Sequence, residues 1–248
     1  MAKFLLYSVD GREGSASVDS GSIDAGGGTY SSNASKVTND ERLVDGSVAT
    51  AANFTAQHAA VRVDKGAAAI DTVDSFAFHS TAAGDNGLQV YTNSSSSTST
   101  ATEKLTFGSI IQGWNVSAQG KSRADSEAKL TAADSERYWY VAAHEAAVST
   151  ITEIMFAKQV DLKNVTLSGT EGVTNGNRVI QSQGGVQFSN KRHDGIKFWN
   201  FDLSFISATY KAELEAMRDA VFGSHDKIIY YDDNNYNLVR LSDDSLQF

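Results

Sequence analysis

Apolar residues along the first two thirds of the chain fall in short runs separated by Gly, Asn, Asp and Ser. Residues 3 to 9 form the first run. Ala60 to Val63, Ile70 to Phe78, Leu88 to Tyr91, Phe107 to Trp114, Ala128 to Thr131, Tyr138 to Val141 and Ile151 to Phe156 follow. Runs of this length between turn residues predict strands, and many of them in series predict a β-sandwich. Asp85-Asn86-Gly87 is a turn signal between two of them. Residues 10 to 36, which include Gly26-Gly27-Gly28, read as a loop, as does the Ser/Thr tract Ser94 to Thr102. The Ala-rich stretch Ala142 to Val148 is taken as a loop between strands.

The last third has a different rhythm. Asn177 to Ile180 and Phe188 to Arg192 predict two strands around Gly184-Gly185. In Phe198 to Phe205 the large apolar residues Trp199, Phe201, Leu203 and Phe205 alternate with polar ones, the period of a half-buried strand. The period then changes. Tyr210, Leu214, Met217 and Val221 form one helical stripe, with Ser207 as N-cap and Gly223 as stop. Lys227 to Asp233 and Asn237 to Leu241 predict two closing strands that meet through the turn-prone Asp232 to Asn235. The composition shift near Leu167 to Gly176 marks a boundary, giving a β-sandwich over residues 1–168, a linker over 169–176 and a small α+β unit over 177–248.

Between residues 30 and 165 the order of pieces resembles a discoidin-type, galactose-binding-like jelly roll. Leu43-Val44-Asp45-Gly46 resembles that family's early loop. Val61-Arg62-Val63-Asp64-Lys65-Gly66 with Ile70-Asp71-Thr72-Val73, then Leu88 to Thr92, resemble its core strands. Arg137-Tyr138-Trp139-Tyr140-Val141 and Ile151 to Ile154 resemble its closing pair. The resemblance implies a domain that binds sugars, lipid head groups or protein, often with a structural calcium; it carries over no ligand-binding residue.

The stretch from Arg178 through the glycine pair, Lys191-Arg192, the Trp/Phe strand, the Glu213-Leu214-Glu215-Ala216 helix and Val239-Arg240-Leu241 resembles the small domain of tail-tube, distal-tail and minor tail proteins of long-tailed bacteriophages. That resemblance implies a mainly β virion protein without enzymatic activity. It implies a homo-oligomeric ring formed through residues 177–248, with other tail proteins as neighbours and the sandwich facing outward. Synthesis in the bacterial host cytoplasm and residence in the virion tail follow from the same likeness. The alternative is a carbohydrate-binding or adhesion module for host-surface glycans.

Composition narrows the chemistry. The net charge is −9 and no Lys/Arg run occurs, which argues against nucleic acid as a partner. No apolar run has the roughly 20 residues of a membrane helix, so membrane insertion is not expected. There are no cysteines and no prolines, which removes disulfide, zinc-thiolate and cysteine-nucleophile chemistry. The histidines His58, His79, His144, His193 and His225 are scattered without zinc-site spacing. No Gly-x-Ser-x-Gly elbow occurs, so no catalytic residue is assigned. His144-Glu145 reads as a surface pair. Trp114 and Trp139 are weighed as sugar platforms and read as core. A cofactor is not expected. The weak metal candidates are calcium on the acidic clusters Asp232-Asp233-Asn234-Asn235 and Asp243-Asp244, where solvated turns are favoured, and a structural calcium on Asp24, Asp40 and Asp45. Arg178, Lys191, Arg192 and Arg240 are the candidate assembly contacts, weighed equally against solvated charges.

Overall fold

The computed structural model describes residues 3–8, 17–23, 30–32, 36–45, 47–65, 72–96, 101–118, 135–162, 165–166, 171–174, 177–181, 187–191, 196–199, 202–203, 207–221, 228–232 and 239–241. Its strands in chain order are β1 (Lys3–Ser8), β2 (Ser17–Ile23), β3 (Tyr30–Ser32), β4 (Val37–Thr38), β5 (Ala52–Phe54), β6 (Ala59–Asp64), β7 (Ser75–Ser80), β8 (Leu88–Asn93), β9 (Thr102–Thr106), β10 (Gly113–Ala118), β11 (Tyr138–Ala143) and β12 (Val148–Asp161). There follow β13 (Val165–Thr166), β14 (Glu171–Thr174), β15 (Asn177–Gln181), β16 (Gln187–Lys191), β17 (Ile196–Trp199), β18 (Asp202–Leu203), the helix α1 (Ala208–Val221), β19 (Ile228–Asp232) and β20 (Val239–Leu241). The chain divides into one unit of residues 1–161 with 213–248 and a second of residues 162–212.

The first unit is a β-sandwich. One sheet runs β10-β7-β12-β1-β19-β20, with β5 also on β12 and β4 on β5; the other runs β3-β2-β6-β11-β8-β9. The core between them follows from period two. Strand β11 turns Trp139, Val141 and Ala143 inward, while β12 contributes Ile154 and Phe156 and β7 contributes Phe76 and Phe78. The alternate residues of β7 and β12, Ala77, Met155 and Ala157, join Phe4, Leu6, Trp114, Val116 and Ile229 in a buried layer on the other face of the first sheet. Strands buried on both faces read as unbroken apolar runs, which is why β7 and β12 are so plain in the sequence.

The expected loop over residues 10 to 36 is corrected in part. It contains β2, hydrogen-bonded along β6 from Ser17 opposite Asp64 to Ser22 opposite Ala59, and the short β3. Its Ser- and Gly-rich sequence hides a strand whose pairing comes from a distant, strongly apolar partner. The Phe107 to Trp114 run is likewise not one strand. Thr102–Thr106 and Gly113–Ala118 are the strands, and the residues between them make a connection tied to Gly84 through an isolated bridge at Ile110. Ala128 to Thr131 and the glycine triplet lie outside the described residues.

In the second unit β13 pairs β18, β14 pairs β17 and β15 pairs β16, all antiparallel. The strand expected from Phe198 to Phe205 is two short pieces, β17 and β18, with different partners. In α1 the Ser207 hydroxyl accepts the Tyr210 N–H at 3.1 Å, the expected N-cap, and Tyr210 and Met217 of the apolar stripe are buried. Gly223 lies outside the described residues. The closing strands form as expected, but β19 also hydrogen-bonds along β1, from Ile228 opposite Tyr7 to Asp232 opposite Lys3. The structural division therefore differs from the boundaries at 168 and 177: the backbone ladder of β1 draws residues 228–232 into the sandwich.

Candidate functional site

Four connections meet at one end of the sandwich: 55–58 between β5 and β6, 81–87 between β7 and β8, 107–112 between β9 and β10, and 144–147 between β11 and β12. We call this end the lip. Its backbone is locked by bonds between connections. Gly84 and Ile110 exchange N–H···O bonds of 2.9 and 2.7 Å, and the Phe107 N–H reaches the Leu88 carbonyl at 2.8 Å. The His144 N–H donates to the Gly87 carbonyl at 3.0 Å, and the His58 N–H to the Ala143 carbonyl at 2.9 Å. Asn115, fully buried in β10, accepts the Ile111 N–H and donates to the Ile111 and Gly113 carbonyls, holding the base of the third connection.

The lip carries polar side chains. Gln57, Asp85 and Glu145 are exposed, and His58, Asn86 and His144 are half-buried. The Nδ1 atoms of His58 and His144 are enclosed and have no hydrogen-bond partner, as is Oε1 of Gln89 on the neighbouring strand. Each such buried, unpaired polar atom costs about 1–3 kcal/mol; His58 lies just before β6, His144 just after β11 and Gln89 within β8. His58 also holds a left-handed backbone, φ 58°, without being glycine, a form of local strain concentrated at functional positions. The sequence reading took His58 as one of five scattered histidines and His144-Glu145 as a surface pair; no spacing signal joins residues that only sheet pairing brings together.

A second polar group lies along β6 and β11. Arg137 forms a two-pronged pair with Asp64, with N–O distances of 2.6 and 2.7 Å, and its guanidinium lies over the Tyr138 ring at 4.9 Å. Arg62 lies 6.0 Å from the centre of the same ring. Asp64 raises the Arg137 pKa through the direct hydrogen bond. Beside it Tyr91 and Tyr140 are buried; the Tyr140 hydroxyl donates to the Ser96 carbonyl at 3.0 Å, whereas the Tyr91 hydroxyl has no hydrogen-bond partner. Burial, then the charge of Glu103, pushes the Tyr91 pKa up to about 12 from 10.0. The folded state thus holds the phenol proton more tightly than the unfolded state, so stability falls as pH rises from 10 towards 12. Tyr91→Phe should leave stability at pH 7 unchanged or higher, because no hydrogen bond is lost. It should also flatten the decline above pH 10, as read by denaturant melts at each pH.

Of the other sequence candidates, Asp40, Asp45, Asp232, Arg178, Lys191 and Arg240 lie within the described residues, whereas Asp233-Asn234-Asn235 and Asp243-Asp244 lie outside them. Asp40 begins a short 3₁₀ turn, Asp40–Leu43, where burial and then the charge of Glu41 raise its pKa against the opposing backbone bond. Asp45 is exposed and accepts from the Ser47 N–H and the Thr50 hydroxyl, closing its own loop. Asp24 lies outside the described residues. Among the described residues no three His, Cys, Asp or Glu side chains group as metal ligands. Trp139 is core and Trp114 is buried on the outer face of the first sheet, edge-on to His79 at 5.5 Å. Arg178 sits in β15 opposite Asn190, Lys191 ends β16 opposite Asn177, and Arg240 is opposite Ile229 in β20. Arg192 lies outside the described residues.

No protein-family model and no curated protein matches the chain. Among solved structures, a GH29 fucosidase from Ruminococcus gnavus in complex with fucose is 14% identical, matched over 61% of this chain and 26% of its own, with a TM-score of 0.41. A CBM32 module of a GH89 protein produced by Clostridium perfringens is 11% identical over 59% of this chain and 94% of its own, TM-score 0.39. The CBM32 module of AlyQ, in complex with 4,5-unsaturated mannuronic acid, is 18% identical over 56% and 91%, TM-score 0.36. The match thus spans about a quarter of the fucosidase. Likenesses at this level leave function to be argued from the chain's own residues.

Proposed function

We propose that the chain is a non-enzymatic glycan-binding protein, with a sandwich of the discoidin-like, galactose-binding-like jelly-roll type that takes its ligand at the lip. The observation that carries this reading is the set of bonds that cross-link the four connections beneath Gln57, His58, Asp85, Asn86, His144 and Glu145. A rigid frame under hydrogen-bonding side chains lowers the ordering cost of binding a polyhydroxylated ligand. No aromatic ring is exposed at the lip among the described residues, so recognition runs through hydrogen bonds. A glycan array probed with the full chain, with and without calcium, tests this. Binding to a defined glycan, weakened at least about tenfold by Asn86→Ala or Gln57→Ala, the loss of one or two hydrogen bonds, supports it. An array without a hit in either condition overturns it.

The virion reading remains a second proposal: a phage tail component forming a homo-oligomeric ring through its C-terminal part, with neighbouring tail proteins as partners. It rests on a strand-strand-helix-strand-strand order, whereas the described elements from residue 177 on run β15, β16, β17, β18, α1, β19 and β20. The pairing of β19 with β1 rather than with β15 or β16 weakens the case for a separate assembly unit. Light scattering and electron microscopy of the purified chain decide it: a closed ring supports the reading, and a monomer at all concentrations sinks it.

A further inference from the structure

The three strand pairs of the second unit are nested. The pair β15–β16 closes inside β14–β17, which closes inside β13–β18. From Val165 opposite Leu203 to Asn177 opposite Lys191 both sides advance by twelve residues, 165 to 177 and 203 to 191, so the outer and inner pairs keep one register. The middle pair, which begins with Glu171 opposite Trp199, is offset from it by two residues. The six strands are thus the two sides of one hairpin ribbon, with eleven opposed residue pairs between them. Among the described residues none of the six pairs with a third strand. A two-stranded ribbon is marginal on its own in water, and both of its outer backbone edges stay open. It gains stability by lying against another surface.

Charge narrows the surface. Residues 162–212 hold six Lys/Arg and three Asp/Glu, a balance of +3. The rest of the chain holds the other 15 Lys/Arg and 27 Asp/Glu, a balance of −12. The net charge of −9 therefore combines two units of opposite sign. Three cationic residues have register positions in the ribbon: Arg178 opposite Asn190, Lys191 opposite Asn177 and Lys197 opposite Val173. None stands opposite Asp or Glu, so no directly opposed pair neutralises them. Opposite potentials on two parts of one chain favour contact between copies. We propose that residues 165–203 form an assembly ribbon that docks on the acidic sandwich unit of a second copy of this chain. Such contacts are either reciprocal, closing a dimer, or continue head to tail into a ring or an open chain. The inference deepens the self-association of the second reading above, but it rests on the ribbon and its charge and needs neither a virion nor a closed ring.

The test is sedimentation velocity of the full-length chain at low and at high salt, at up to about 100 μM, where a weak specific contact still forms. Self-association is expected at low salt and should weaken at least about tenfold at high salt, because salt screens exposed charges. The Arg178→Glu/Lys191→Glu/Lys197→Glu variant should stay monomeric at low salt. The control Lys36→Glu/Lys104→Glu, which reverses two cations of the sandwich unit, should associate at least as well as the unaltered chain. A monomer at low salt, or association unchanged in the triple variant, overturns the proposal. Should the triple variant fail to fold, carbodiimide cross-linking of mixed isotope-labelled and unlabelled copies of the unaltered chain decides, since it joins a lysine to a carboxylate. Links between copies from Lys191 or Lys197 to residues 1–161 or 213–248 support the ribbon. Links only within a copy, or between copies through neither lysine, refute it. A salt-sensitive dimer or open chain supports the ribbon while sinking the ring, and a ring that persists in the triple variant does the reverse.

Discussion

Gly87→Ala should cost the protein about 3 kcal/mol or more, the upper range for forcing atoms into a packed site. A Cβ on Gly87 falls 1.4 Å from the Phe107 carbonyl oxygen and 2.4 Å from its carbon. Those are backbone atoms, so no side-chain rotation relieves the clash. Either the Phe107 segment moves and its 2.8 Å bond to Leu88 breaks, or Gly87 moves and the His144 bond of 3.0 Å is lost. Both shifts open the lip. The melting midpoint should fall by about 6–12 °C for a domain of this size, and any glycan response should fall with it. Gly84→Ala is the control, because nothing lies within 4 Å of the added carbon. Equal melting points for the two variants would show that the close approach at Gly87 does not constrain the lip.

This contrast also shows where sequence reading works and where it ends. Asp85-Asn86-Gly87 was legible as a turn from local chemistry alone. That its glycine is required by the carbonyl of Phe107 belongs to tertiary packing, which no local pattern encodes. Strand β11 was legible because Tyr138-Trp139-Tyr140-Val141 buries residues on both faces. Strand β2, Ser-Val-Asp-Ser-Gly-Ser-Ile, was not legible, because its place is set by β6 rather than by its own propensity. The Phe198 to Phe205 alternation was read as one strand, since period two does not reveal a change of partner between β17 and β18. The α1 cap at Ser207 was legible because capping is a contact over three residues. The lip's histidines were the least legible, since only a long-range backbone bond, from the His58 N–H to the Ala143 carbonyl, ties the connection of one to that of the other.

Trp139→Ala should destabilise the sandwich by about 3–5 kcal/mol, the range for deleting a buried large aromatic ring. Trp139 is fully buried on β11, and its ring centre lies 4.9 Å from that of Phe156 on β12, so it joins the two sheets across the core. Its indole N–H donates to the Glu136 carbonyl at 2.9 Å, fixing the approach of the chain into β11. The alanine variant loses dispersion contacts and apolar burial together and leaves a cavity that a β-sandwich, held by ladders on both sides, collapses only partly. Trp139→Phe separates the contributions. It keeps most of the ring contact with Phe156 but removes the donor to Glu136, so it should cost roughly 1–3 kcal/mol, the range for a partly filled site and one lost hydrogen bond. Urea melts of the two variants measure the difference. An alanine variant that loses under about 1 kcal/mol would mean that Trp139 does not bridge the sheets. Binding at the lip should survive in Trp139→Phe at temperatures where that variant is folded. The connections there are tied by their own backbone bonds, and the Trp139 indole bonds towards the start of β11, away from the 144–147 connection.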